Sequence, residues 1–168
     1  MATEIERKFL LASDAWREAV ERSQRMKQGY LTRAGGSAGI AACSVRLRIA
    51  GDLAWLNIKS AVAGIERREY EYAIPAADAE KMLGEFCDGV VEKIRHYVPY
   101  RGRLFEVDEF LDDNAGLIVA ELELEAATEQ IEGPPWLGRE VSDKPRYYNL
   151  HLLEHPYSRW SAAEREGE

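Results

Sequence analysis

Between Cys43 and Ile49 the chain alternates without a slip: Ser44, Arg46 and Arg48 fall on one side of an extended backbone, Val45, Leu47 and Ile49 on the other. The same two-residue period recurs along most of the sequence and predicts eight strands. The first sets Glu4, Glu6 and Lys8 against Ile5, Arg7 and Phe9; the second, 28–32, sets Gln28, Tyr30 and Thr32 against Leu31. Gly51-Asp52 turns the third strand back, and 53–60 then carries Trp55, Asn57 and Lys59 on one face, Leu56 and Ile58 on the other. The fifth alternates Arg67, Glu69 and Glu71 with Arg68, Tyr70 and Tyr72; the sixth, 91–97, groups Val91, Lys93, Arg95 and Tyr97. The seventh, 104–110, opposes Glu106 and Asp108 to Phe105 and Val107. The eighth, 117–125, opposes Val119, Glu121, Glu123 and Glu125 to Ile118, Ala120, Leu122 and Leu124.

A helical period replaces this one after Pro75, where Ala79, Met82, Leu83 and Phe86 predict an amphipathic helix over 75–86. Ser13 or Asp14 caps a helix through Trp16, Ala19 and Val20. A short helix is expected over 126–131, before Gly133-Pro134-Pro135, and another over 144–153, before Pro156. The glycine-rich stretch 34–39 reads as a flexible loop and 161–168 as a frayed polar tail. The apolar stripes of the helices need a surface to cover, and the apolar strand faces are the one available, with Trp136 among the covering residues. An antiparallel sheet wet on one side also alternates, but such a face mixes Lys, Thr, Ser and Gln freely. Here it is nearly all Glu, Asp, Arg and Lys. The expected fold is therefore α+β: an eight-stranded antiparallel β-barrel, a tunnel with a charged lumen, and helices packed outside.

With 168 residues the chain fits one domain, 1–168. A net charge of −8 argues against a general nucleic-acid or membrane-surface partner. Glu4 and Glu6 stand where a secretory signal needs a basic start and an apolar run, and no stretch reaches membrane-spanning length, so a cytoplasmic protein is expected. Cys43 and Cys87 have no zinc spacing and read as reduced thiols. His96, His151 and His155 show no ligand spacing either and read as packing or solvent residues; Arg67, Arg101 and Arg103 are open between substrate contact and surface charge.

Buried charge needs a partner or a ligand. In the expected lumen, carboxylates at Glu4, Glu6, Glu69, Glu71, Glu106, Asp108, Glu121 and Glu123 face cations at Lys8, Arg46, Arg48, Lys59, Arg67, Lys93 and Arg95. Cations gathered on the third, fourth and sixth strands suit a run of phosphates, since arginine grips oxygens in pairs. Glu4, Glu6, Glu121 and Glu123 then suit a hard divalent metal between protein and phosphate.

Taken together these motifs resemble the CYTH superfamily, the triphosphate tunnel metalloenzymes. The resemblance runs from E-x-E-x-K at Glu4, Glu6 and Lys8, through R-L-R at Arg46 to Arg48, Lys59, Glu69 to Glu71, and K-x-R at Lys93 to Arg95. It continues with E-V-D at Glu106 to Asp108 and E-L-E-L-E at Glu121 to Glu125, covering roughly 3–153. It implies an eight-stranded tunnel acting on triphosphates with Mg²⁺ or Mn²⁺, and Gln28-Gly29-Tyr30-Leu31 looks most like the short inorganic triphosphatases, which cleave tripolyphosphate to pyrophosphate and phosphate. Carried onto this sequence, substrate-binding residues are Lys8, Arg46, Arg48, Lys59, Lys93 and Arg95, and the catalytic pair is Lys59 with Tyr30. One metal falls to Glu4, Glu6 and Glu123, a second to Glu69, Asp108 or Glu121. Thiamine triphosphate or a nucleoside triphosphate, stacked on Trp55, Tyr97 or Tyr147, stays an alternative, as do an adenylate cyclase and a polyphosphate-binding module without turnover.

Overall fold

In a computed structural model, residues 2–32, 43–60 and 65–167 are described, and the glycine-rich stretch at 34–39 lies outside them. Among the described residues nine strands form: β1 (Ala2–Leu11), β2 (Arg22–Tyr30), β3 (Cys43–Ala50), β4 (Leu53–Ser60), β5 (Glu66–Ile74), β6 (Val91–Tyr100), β7 (Arg103–Phe110), β8 (Ile118–Glu123) and β9 (Leu137–Glu140). Eight of them close on themselves in the order β1, β5, β4, β3, β2, β6, β7, β8 and back to β1, every pair antiparallel. β1 makes the closure possible by dividing one edge. Residues 2–5 pair with β5, while Phe9 and Leu11 further along pair with β9.

Register decides what the barrel contains. Lys8 stands opposite Glu121, Glu6 opposite Glu123, Lys59 opposite Glu69 and Arg95 opposite Asp108. Opposed residues share a face, so one alternation per strand collects the charges in the lumen, and a one-residue slip would turn all of them out. The apolar cores accordingly lie on the barrel's outer side. One gathers Ile5, Phe9, Trp16, Phe105, Val107, Leu122 and Trp136. Another seats α1 (Ala76–Phe86) by Ala79 and Leu83 on Leu47, Ile49 and Ala54.

A third cluster has a different place. Leu10, Val91, Phe110 and Val119 point into the barrel, at the end where β1 and β7 finish and β6 and β8 begin, and Val141, Tyr147, Leu152 and Trp160 pack onto them. The C-terminal segment thus closes one end of the lumen; 144–153 plugs the barrel instead of covering its outside. That region is a 3₁₀ turn, Pro145–Tyr147, and a short α2 (Asn149–Glu154), not one helix. The helix expected after Ser13 is a 3₁₀ segment, Asp14–Ala19. Residues 126–131 form turns with no helix, and β2 starts at Arg22, six residues before the expected 28. Residues 161–167, expected as a frayed tail, hold α3 (Ala162–Arg165) on a Ser161–Glu164 capping box. Among the described residues no helix is long and apolar enough to cross a membrane.

One glycine fixes the contact between β2 and α1. A Cβ on Gly29 would stand 2.7 Å from Leu83 Cδ2 and 2.9 Å from Cys87 Sγ. Gly29→Ala is expected to lower stability by about 1–3 kcal/mol, since overfilling a packed contact moves backbone and rotamers. A thermal melt that matches wild type would show that α1 yields without cost.

Candidate active site

The lumen encloses a cavity of about 480 Å³. Tyr30 on β2, Arg46 and Arg48 on β3 and Lys59 on β4 build one wall; Glu4, Glu6 and Lys8 on β1 with Glu121 and Glu123 on β8 build another. Glu69, Glu71 and Arg67 on β5 join them, and Arg95 with Glu106 completes the ring. Lys93 and Asp108 are 2% and 0% exposed and lie behind this lining, not on it.

Charges are paired across strands. Lys8 Nζ donates to Glu6 at 2.6 Å and to Glu121. Burial disfavours the Lys8 ammonium, yet Glu121 and Glu6 outweigh it and hold the pKa above its ordinary value. Burial likewise opposes charge on Glu121, and Lys8 and Arg95 drive it well below the usual carboxylate range. Arg95 is the hub: Nε and Nη2 fork onto Asp108 at 2.7 and 2.8 Å, and further bonds reach Glu106 and Glu121. Lys93 donates to the same Asp108, but burial prevails there and its pKa falls. Across the lumen, Lys59 Nζ donates to Glu4 at 2.6 Å with Glu69 at 3.7 Å. Carboxylates, not cations, are therefore its nearest partners. Tyr30 is linked instead to Arg46; burial raises its phenol pKa against the pull of Arg46 and Lys8. Lys59 and Tyr30 share the cavity through different partners.

As the side chains stand, no group of three His, Cys, Asp or Glu among the described residues is gathered for a metal ion. The carboxylates are turned onto lysine and arginine. Glu123 differs, for it makes no ion pair among the described residues, and burial together with Glu4, Glu6 and Glu69 raises its pKa. Glu4, Glu6 and Glu69 thus crowd the Glu123 charge, with Lys59 in opposition. An all-oxygen donor set of this kind fits a hard divalent cation.

Further residues line the cavity or support its walls. Arg67 faces the cavity and stacks on Tyr148 at 4.6 Å, whereas Arg101 and Arg103 pair with Glu132 and Glu129 away from it. Asn57 gives its amide to Glu69 at 3.0 Å and Glu71 at 2.6 Å, tying the β4 and β5 walls together. Ser142, Tyr148, Asn149 and His151 reach the cavity from the plug, off the strand periodicity. His151 is therefore a lumen residue, while His96 packs outside between Trp16, Ser23 and Glu109.

The sequence model of the CYTH domain matches residues 2–152. The chain belongs to the CYTH-domain family. Among CYTH relatives, an inorganic triphosphatase of Acetivibrio thermocellus is 39% identical over 158 residues, which cover 94% of this chain and 97% of that one. The inorganic triphosphatase of Nitrosomonas europaea is 38% identical over 156 residues, 89% of this chain and 96% of its own. The crystal structure of the inorganic triphosphatase NE1496 superposes with a TM-score of 0.64 at 32% identity, covering 90% of this chain and 95% of that one. The CYTH barrel described above is thus shared along nearly its whole length.

Proposed function

We propose that this CYTH protein is an inorganic triphosphatase that hydrolyses tripolyphosphate to pyrophosphate and phosphate. One observation carries the reading: six cations, Lys8, Arg46, Arg48, Lys59, Arg67 and Arg95, converge on a cavity that is also lined by the carboxylates Glu4, Glu6, Glu69, Glu121 and Glu123. The full-length relatives of that name support the substrate. Lys8, Arg46, Arg48 and Arg95 neutralise the phosphate oxygens, and their hold strengthens as charge redistributes toward the leaving group. Glu4, Glu6 and Glu123 would hold one Mg²⁺ or Mn²⁺, and Glu69 or Glu121 would contribute to a second. When bound, such an ion offsets phosphate charge and lowers the pKa of a water. Asp108 and Lys93, whose charges meet each other behind the lining, act by fixing Arg95. Lys59 lines the cavity with its ammonium donating to Glu4 on the metal side, so its Nζ is placed to donate to the phosphate oxygens as charge builds there; Tyr30 keeps its proton and can donate a hydrogen bond. The acidic balance of the chain argues against a general nucleic-acid or membrane-surface partner and leaves a small anion, bound by the local cations of the lumen.

Phosphate release from tripolyphosphate, ATP, thiamine triphosphate and long-chain polyphosphate, with and without Mg²⁺ or Mn²⁺, tests the reading. Release from tripolyphosphate that requires metal is expected, and silence on all four with either metal would leave a binding module. Lys59→Ala should lower kcat by about a hundredfold or more while costing far less in melting temperature, the small loss being that of the cation that opposes Glu4, Glu69 and Glu123. Turnover equal to wild type would remove Lys59 from the chemistry. The nucleotide reading narrows to Trp55, under Arg48 at 5.1 Å, because Tyr97 is covered by Arg22 at 3.4 Å and Tyr147 is buried in the plug.

A further inference from the structure

Gln28 has no exposed surface, yet neither its amide nitrogen nor its amide oxygen has a hydrogen-bond partner among the described residues. A buried amide left in that state costs more than an ordinary hydrogen bond returns, so a partner is expected in some working state of the protein. Strand register identifies it. β2 sets Gln28 opposite Arg48 of β3 on one side and opposite Val91 of β6 on the other. Residues directly opposed in an antiparallel pair keep their Cβ atoms about 4.5–5.5 Å apart. Val91 offers an apolar side chain; Arg48 offers a guanidinium.

Arg48 has the complementary defect. Its buried Nε carries a hydrogen with no acceptor, although Nη2 donates to Glu71 at 2.9 Å. That ion pair is a weak tether, because the Glu71 side chain is 43% exposed and water screens it. A phosphate entering the cavity competes for the same Nη atoms. Arg48, once it leaves Glu71, keeps a defined aim only if its Nε is held from behind.

We infer that Gln28 is a positioning residue for substrate: its amide oxygen accepts the Arg48 Nε hydrogen when Arg48 turns from Glu71 to the phosphate chain. The guanidinium is then fixed with both Nη groups toward the anion. A neutral amide suits this task, since a carboxylate in its place would offset the charge needed for phosphate. The identity of the anion rests on the triphosphatase reading; the coupling between Gln28 and Arg48 rests on register and on their orphaned atoms.

The test is a double-mutant cycle of tripolyphosphate affinity, measured calorimetrically in metal-free buffer on the full chain for wild type, Gln28→Met, Arg48→Ala and the double variant. Melting temperatures and phosphate release are recorded in parallel. Gln28→Met is expected to weaken binding about tenfold, as loss of a hydrogen bond to a charged group does, without lowering the melting temperature. In the Arg48→Ala background the same change should cost nothing further. Unchanged affinity in Gln28→Met, or a full tenfold loss retained in the double variant, overturns the inference. A lower melting temperature with unchanged affinity also overturns it, marking Gln28 as packing only. Gln28→Leu repeats the measurement if the methionine variant does not fold. If wild type binds tripolyphosphate in this buffer yet releases no phosphate once Mg²⁺ or Mn²⁺ is supplied, the hydrolase reading falls and the affinity cycle still decides the coupling; if it does not bind in this buffer the coupling falls, and if it also releases no phosphate with metal the hydrolase reading falls with it.

Discussion

Asp108→Ala is expected to cost about 3–5 kcal/mol of folding stability, roughly 6–20 °C in melting temperature, and to abolish triphosphatase turnover as well. Asp108 is fully buried and its two oxygens serve two cations, the Arg95 fork and Lys93. Removing it leaves both buried beside each other with no counter-charge at that point. Breaking a buried pair on one side is costly for that reason, even where replacing the whole pair by apolar residues would be nearly neutral. Asp108→Asn, which keeps the shape and one acceptor, should lose less stability. The pH dependence separates this account from simple cavity formation. Lys93 already binds its proton less tightly than an ordinary lysine, because burial outweighs Asp108. Between that lowered value and the ordinary 10.5, the unfolded chain holds more protons than the folded one, so stability rises with pH across the window. Without Asp108 the window starts at lower pH. The deficit of Asp108→Ala against wild type should therefore shrink from neutral pH to about pH 10, though not vanish, since Arg95 keeps its charge. A deficit independent of pH would assign the loss to packing.

Asp108 also shows how far alternation carries and where it stops. Period two placed Asp108, Lys93, Arg95, Glu106 and Glu121 on lumen faces, and register brought them together, because inverting one strand would bury its charges against helices and expose its core. Depth along the lumen is a different matter. Whether a charge meets substrate or another charge depends on barrel stagger and on what fills each end, and neither leaves a mark within a strand. Lys93 and Asp108, expected as phosphate and metal contacts, lie behind the lining for that reason.

The elements that escaped the sequence reading have a common cause. β2 begins in Arg22-Ser23-Gln24-Arg25, where polar side chains occupy both faces, so the strand has no apolar partner to its alternation until Met26. β9 is four residues long and owes its place to β1, whose free edge it takes with Arg7 bound to Glu140 and the Lys8 amide donating to Ser142 at 2.9 Å. The plug follows the same logic: Tyr147 and Leu152 fall within the helix expected over 144–153, but the apolar surface that they and Trp160 cover is the end of the barrel, formed by inward Leu10, Val91, Phe110 and Val119. Local periodicity names an apolar face without naming its partner. His151 and Tyr148 join the cavity only because that partner is the lumen.

Glu123→Gln is expected to move stability and activity in opposite directions. In chelator, the variant should melt somewhat higher than wild type, because partial burial, and then Glu4, Glu6 and Glu69, disfavour the Glu123 charge at this water-exposed strand end, and Glu123 makes no ion pair among the described residues. Removing one of four like charges relieves that repulsion while an amide of the same size fills the space. With Mg²⁺ or Mn²⁺ present the order should reverse: wild type gains melting temperature by mass action and the variant gains less, since a donor oxygen has lost its charge. Phosphate release from tripolyphosphate should fall by at least about a hundredfold, more than loss of an outer partner of a metal site produces. Glu6→Gln should show the activity loss with a smaller gain in chelator, because Glu6 already receives the Lys8 ammonium at 2.6 Å and neutralising it leaves that cation less well paired. The contrast between the two variants is the discriminating measurement. Equal melting temperatures for wild type and Glu123→Gln in chelator, together with unchanged turnover in metal, would mean that the carboxylate cluster neither repels nor binds, and the proposed metal position at this rim would have to be abandoned.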